Sequence, residues 1–258
     1  MHVKDLLDLN GKVIVVTGGS GQYGKCLVEG LAEAGGTVIT TSRDFDSAEQ
    51  SAAAFQEKGL KVFPLELDQG LPESVTTFRE KLLSEFEKLD VFVNNAVSRP
   101  MKGYNAPISQ FSESMRVNAT GMMDLLRQMT ELIISSGGGS VINIASMMGM
   151  KGPDLSNYEG TNMGDLPPDY FFHNSGLINI TRFMAKMHAG KNIRFNCISP
   201  GGLFNHQPSP FLDSYCKKVP MRRMANTDDI KGLAVLLASE AGAYINGENI
   251  LMDGGLNA

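Results

Sequence analysis

The chain has no tryptophan, only three cysteines and no long unbroken apolar run. A helical membrane span needs roughly 18 apolar residues in succession, so that class is excluded, and the opening MHVKDLLDLNGK has no secretion-signal core. Cys26, Cys197 and Cys216 are odd in number and scattered, which fits neither a disulfide framework nor a metal site. Reduced thiols in a cytoplasmic protein are the expectation. Positive charge is also short, with 23 Lys and Arg against 28 Asp and Glu, a net charge of −5. Phosphate contacts need a basic surplus, so a nucleic-acid partner is excluded. What remains is 258 residues, 42% of them hydrophobic and 20% charged, enough for one large α/β domain over 1–258.

Short β-branched runs alternate with longer helical patterns. KVIVVT (12–17), TVITT (37–41), KVFPLEL (61–67), DVFVNN (90–95), SVINIAS (140–146), IRFNCIS (193–199) and ENILMD (248–253) read as strands. Between them lie helical patterns near 23–35, 47–59, 72–86, 108–136, from Tyr170 onward, and near 227–240. The strand runs are continuously apolar, so both sheet faces are expected to be covered. Strand–helix alternation with short links predicts right-handed crossovers and a Rossmann-like, doubly wound parallel sheet of about seven strands. Two stretches, 149–169 and 201–223, are long, polar and rich in Gly and Pro. Both follow strand carboxyl ends, where open α/β sheets bind ligands, and they are expected to be substrate-side loops.

VVTGGSGQYGK (15–25) places a glycine-dense turn between the first strand and the first helix. Gly18, Ser20, Gly21, Gln22, Tyr23 and Gly24 form a turn whose backbone can approach a phosphate, with the N–H groups of the helix start favouring an anion. At the end of the second strand an acid would bind the ribose diol of NAD, whereas an arginine would pair with the 2′-phosphate of NADP. Ser42 stands where the acid would be and Arg43 follows, so NADP is expected, with NAD the alternative because Asp44 comes next.

These residues resemble a known family, the short-chain dehydrogenases/reductases, over nearly the whole chain. LNGKVIVVTGG is similar to the family's entry strand, and NNAV (94–97) to its Asn-Asn-Ala-Gly turn. RVNATG (116–121) resembles the segment carrying the helix asparagine, here Asn118. INIASMMG (142–149) resembles the strand ending in the serine, here Ser146. NIRFNCISPGG (192–202) and the stretch from 221 to 255 resemble its closing third. The resemblance implies hydride transfer between an alcohol and a carbonyl substrate, a nicotinamide cofactor, and a homodimer or homotetramer. It also implies a catalytic set of asparagine, serine, tyrosine and a lysine four places after the tyrosine. Asp68 is expected at the adenine edge, Asn94, Asn95 and Ala96 along the ribose, and Pro200 and Gly201 on the nicotinamide side.

Three departures stand out. Gln22 replaces the middle glycine of the turn, the interval from Ser146 to Tyr170 is 24 residues and longer than the family's, and the lysine is Asn174. Tyr158 is a rival for the tyrosine, being nearer the usual interval, and it too has an asparagine at +4. The interval from Asn174 to Pro200 and the helical pattern after Asn174 favour Tyr170. Residues four apart share one helix face, so a lysine at 174 would stand beside the phenol. Its charge would favour ionisation of a group that titrates near about 10 when unperturbed. Asn174 can donate a hydrogen bond to ribose but carries no charge. His173 is expected to face solvent or a neighbour. Tyr170 is expected to move the proton of the substrate oxygen, Ser146 to orient that oxygen, and Asn118 to hold a relay water. The polar groups of the 149–169 insert suggest a sugar-type ligand.

Overall fold

A computed structural model describes residues 1–258 of the protein. After a single turn, α1 (Val3–Leu6), five consecutive β-branched residues form β1 (Val13–Thr17), every one of them buried. Branching at Cβ stiffens χ1 and suits a pleated surface packed on both sides. The chain then alternates through α2 (Gln22–Glu33), β2 (Thr37–Ser42), α3 (Phe45–Gln56), β3 (Val62–Glu66), α4 (Pro72–Phe86) and β4 (Val91–Asn94). It continues with α5 (Ile108–Met115), α6 (Met122–Ser135), β5 (Gly139–Ile144), α7 (Pro168–Met187), β6 (Ile193–Pro200), α8 (Ser209–Lys218), α9 (Lys231–Ala238) and β7 (Asn249–Met252).

The seven strands form one parallel sheet in the order β3-β2-β1-β4-β5-β6-β7, the expected doubly wound architecture. One face packs on α2, α3 and α9 through Leu27, Leu31, Ala52, Phe55, Ala234 and Leu237. The other packs on α4, α6 and α7 through Phe78, Leu82, Leu125, Met129 and Met184. Each such large side chain taken fully out of water contributes about 1.5–3 kcal/mol. The edge strand β3 buries only Val62 and Leu65 and carries Pro64, which a central strand would not tolerate.

The structure departs from the sequence reading in three places. The expected helix over 108–136 is broken by a π-helical turn, Arg116–Gly121, which contains Asn118. The stretch 201–223 is not all loop, since α8 fills its centre; only Phe211 and Tyr215, four apart, are buried, so its helical signature is thin. The 149–169 insert holds a short 3-10 turn, Leu155–Tyr158.

The winding order reverses between β1 and β4. Connections from their carboxyl ends lead away in opposite directions, and a crevice opens where ligands of such sheets bind.

Candidate active site

The crevice is a cleft of about 690 Å³ running across the carboxyl edge of the sheet. Gly18, Ser20, Gly21, Gln22, Tyr23 and Gly24 line one part of it, with Ser42, Arg43 and Asp68 beyond them. Asn94, Asn95 and Ala96 lie in the middle, and Asn118, Ser146, Tyr170, His173, Asn174, Pro200 and Gly201 at the other part. Every site residue expected from the sequence therefore lines one cavity.

The glycine turn is held from below by β4. Asn95 donates from Nδ2 to the carbonyl oxygens of Thr17 (2.9 Å) and Gly18 (3.2 Å). Thr17 Oγ1 accepts the backbone N–H groups of Asn95 and Ala96, both at 2.9 Å. Gly24 is obligatory, because a Cβ there would lie 2.1 Å from the carbonyl oxygen of Gly18. Gln22, the departure from the family pattern, is the first residue of α2 and is exposed, so its side chain does not fill the turn. Tyr23 Oη is buried without a partner, and burial pushes its phenol pKa up. Arg43 reaches the cleft while Asp44 does not; the Asp44 N–H is turned back to Ser42 Oγ at 3.3 Å.

At the other end, Ser146 caps the 3-10 turn Met147–Gly149, its Oγ accepting the Met148 N–H at 3.1 Å. That contact uses an acceptor position, so the hydroxyl hydrogen remains free to donate into the cleft. Gly149 packs directly on α7, where a Cβ would lie 2.7 Å from the carbonyl carbon of Asn174, and Ser175 Oγ donates to the Gly149 oxygen at 2.8 Å. This contact joins the Ser146 turn to the Tyr170 helix despite the insert between them.

The two candidate tyrosines separate cleanly. Tyr170 lines the cleft, whereas Tyr158 packs edge-on against Phe211 of α8, with ring centroids 5.2 Å apart. No residue of 149–169 lines the cleft. The polar groups of the insert are engaged elsewhere: Lys218 Nζ donates to Asp154 Oδ2 (2.8 Å), Ser156 Oγ (2.6 Å) and Asn157 Oδ1 (2.7 Å). The expectation of a ligand-binding insert is thereby corrected, because its hydrogen-bonding capacity pins it to α8. Of 201–223, Gly201, Gly202, Leu203, Asn205 and Gln207 reach the cleft.

The Asn118 side chain is held by its own hydrogen bonds. Its Oδ1 accepts the Ser98 N–H at 2.8 Å, and its Nδ2 donates to the Ser98 carbonyl (2.7 Å) and Ser114 Oγ (3.0 Å). Both amide hydrogens are taken, so the side chain clasps the loop after β4. Asn174 is 3% exposed and donates to the carbonyl of Tyr170 at 2.7 Å. His173 is buried against the Tyr170 ring, centroids 5.5 Å apart, and burial lowers its pKa to about 4.

Sequence reasoning missed Arg99, Thr17 and Asn143. The guanidinium of Arg99 stacks over the Tyr170 ring at 5.1 Å from its centroid; its signal was its place just past the end of β4. Asn143, fully buried on β5, accepts from Asn94 Nδ2 (3.0 Å) and donates to Thr181 Oγ1 (2.9 Å), linking β4, β5 and α7. Nothing in its sequence context marks it.

Residues 23–257 match the family model described as Enoyl-(Acyl carrier protein) reductase. The chain is 28% identical to the 3-oxoacyl-(acyl-carrier-protein) reductase FabG of Aquifex aeolicus, over 97% of this chain and 99% of that protein. A gluconate 5-dehydrogenase from Burkholderia cenocepacia, solved with NADP and tartrate, superposes with a TM-score of 0.89 at 25% identity, over 99% of this chain and 98% of the other. A 7α-hydroxysteroid dehydrogenase, solved with NADH and 7-oxo glycochenodeoxycholic acid, gives 0.87 at 25% identity over 99% and 98%. With its motifs in order along one sheet edge and a family model covering almost its full length, the chain belongs to the short-chain dehydrogenase/reductase family.

Proposed function

We propose that the protein is a nicotinamide-dependent oxidoreductase that interconverts a secondary alcohol and a ketone, with a preference for NADP(H). One observation carries this reading: Ser146 and Tyr170 line the same cleft as the glycine turn, although an insert separates them in sequence. The residues fit a dinucleotide. Gly24 lets α2 pack closely on the Gly18–Gly19 turn, the α2 amino end favours a phosphate's charge, and Arg43 offers a cation to a 2′-phosphate. When bound, the cofactor supplies hydride exchange at the substrate carbon.

The chain's own groups handle the oxygen. Tyr170 gives a proton to the forming alkoxide in ketone reduction and takes it back in alcohol oxidation. Ser146 donates its free hydroxyl hydrogen to the same oxygen and stabilises the charge that develops there. Asn174 keeps a hydrogen-bonding amide where a lysine would add charge, so reduction, which needs only the neutral phenol, is the favoured direction. Within this class a polyhydroxylated, sugar-type substrate is our reading, supported by Asn205 in the cleft lining and by the gluconate 5-dehydrogenase likeness. A cytoplasmic location and a homodimer or homotetramer complete it. The protein has no helix long and apolar enough to cross a membrane, and the exposed Phe172, Phe183 and Met187 on α7 suit a subunit contact.

The neutral Asn174 favours one second reading, a dinucleotide-binding protein without turnover. Following NADPH absorbance with a panel of ketones and keto-sugars separates the two. Reduction that falls at least about 100-fold in Tyr170→Phe supports the enzyme. Asn174→Lys is expected to raise alcohol oxidation about tenfold below pH 9, because it adds a cation beside the phenol. Cofactor binding with no turnover in both the natural chain and Asn174→Lys would establish the second reading.

A further inference from the structure

The charges lining the cleft are unevenly placed. Arg43 and Asp68 follow β2 and β3, at the end assigned above to the adenosine. Asp68 stands three strand spacings from β4, about 14 Å along the sheet. Arg99, just past β4, is the one permanent charge lining the half of the cleft that holds Ser146 and Tyr170. Its guanidinium forms no ion pair and donates no hydrogen bond within the chain, and it rests on the Tyr170 ring. His173 beside it is held neutral by burial. Asp169, on the first turn of α7, is buried with its Oδ1 unpartnered and, like Arg99, acts electrostatically on His173, but it forms no ion pair with Arg99 and lies outside the cleft lining.

The arginine is exposed, and two contacts bias where its head sits. Its stem leaves a loop whose Ser98 is clasped at both N–H and C=O by Asn118, and its planar head rests on the Tyr170 ring. An arginine fixed by stacking retains a fork of N–H donors along its edge, the geometry that matches a carboxylate bidentately.

From this geometry we propose that Arg99 is the anchor for a substrate carboxylate, so that the protein acts on hydroxy or keto acids and not on neutral alcohols. The inference rests on the oxidoreductase reading for its chemistry, but carboxylate binding itself does not need turnover. The anion would sit a few bonds from the reacting carbon, because its anchor lies against the ring whose hydroxyl serves that carbon.

The test uses the full chain loaded with NADP and a matched pair of probes, D-gluconate and D-gluconamide, which differ only in the charged end. Calorimetry reads binding, and absorbance reads kcat/KM for each probe. The natural chain is expected to bind gluconate at least about tenfold more tightly than the amide, as a charge-assisted bidentate contact would provide. Arg99→Gln is expected to bring that ratio to within about twofold of unity, and Arg99→Lys to an intermediate value, since a lysine keeps charge without the fork. Lys102→Gln, which removes an exposed charge from the same loop outside the cleft, should leave the ratio as it was. The proposal is overturned if gluconate shows no Arg99-dependent binding, if the acid preference survives Arg99→Gln, or if acid and amide lose equally. Arg99-dependent gluconate binding would uphold the anchor even if neither probe turned over and the ketone panel above showed no reduction, the result that removes the oxidoreductase reading. Reduction in that panel together with no Arg99-dependent acid preference would do the reverse.

Discussion

The two halves of the cleft are built on different principles. On the glycine-turn side, backbone groups face the ligand and the supports are strands, with Thr17 and Asn95 fastening β1 to β4 through four hydrogen bonds. On the other side, the lining is made of side chains from four separated segments, carrying Arg99, Asn118, Ser146 and Tyr170. A backbone cradle tolerates little variation because a single added carbon closes it. A side-chain chamber can be rebuilt one residue at a time. The insert adds a third layer, tied to the outside of the chamber by Lys218 and contributing nothing to its walls.

The contrast can be broken in order of expected effect. Gly24→Ala should be the most damaging, because its methyl group would lie 2.1 Å from the Gly18 oxygen. Overpacking of this kind costs about 1–3 kcal/mol, so NADP affinity by calorimetry should fall at least about tenfold. If the variant binds normally, the turn is more plastic than the side-chain half and the comparison fails.

The next effect depends on pH and belongs to the substrate half. His173 has a folded pKa of about 4 against an ordinary 6.5, because burial penalises its charged form, with Asp169 opposing and Arg99 adding to the shift. A depressed histidine contributes stability that is fully present above its unfolded value and is lost as pH falls toward the folded one. Urea unfolding should therefore show the natural chain losing about 2–3 kcal/mol more than His173→Gln between pH 6.5 and pH 4. Parallel pH profiles for the two proteins would mean that the imidazole is not held neutral.

The smallest effect tests the insert. Lys218→Met removes three hydrogen bonds, yet the Lys218 and Asp154 side chains are 33% and 50% exposed. Partly exposed ion pairs contribute about 0–1 kcal/mol, so stability should change by less than that and kcat/KM by less than about twofold. A large loss of activity would show that the insert shapes the chamber after all.

The sequence pattern made the frame and the cofactor half legible because both are written locally. β-branched runs mark β1 and β2, and the glycine turn is contiguous. The positions of Ser146 and Tyr170 could be found, but the fate of the residues between them could not, since Asp154, Ser156 and Asn157 look the same whether they meet a ligand or Lys218. The helix α8 was hidden because only Phe211 and Tyr215 face inward. Arg99 was passed over because its importance comes from stacking on a residue 71 positions away. The clasp made by Asn118 was equally invisible, being a contact to the backbone of Ser98.

The chain of amides and hydroxyl running Asn94–Asn143–Thr181 has a mechanical consequence. It crosses from the middle of the sheet into α7, so the floor under the dinucleotide and the helix bearing the phenol are bolted together as one fixed jaw. Whatever widening a bulky ligand demands must then come from the opposite jaw, the segment between β6 and α8. Substrates should differ in how far they displace Asn205 and Gln207, and hardly at all in where they find Tyr170.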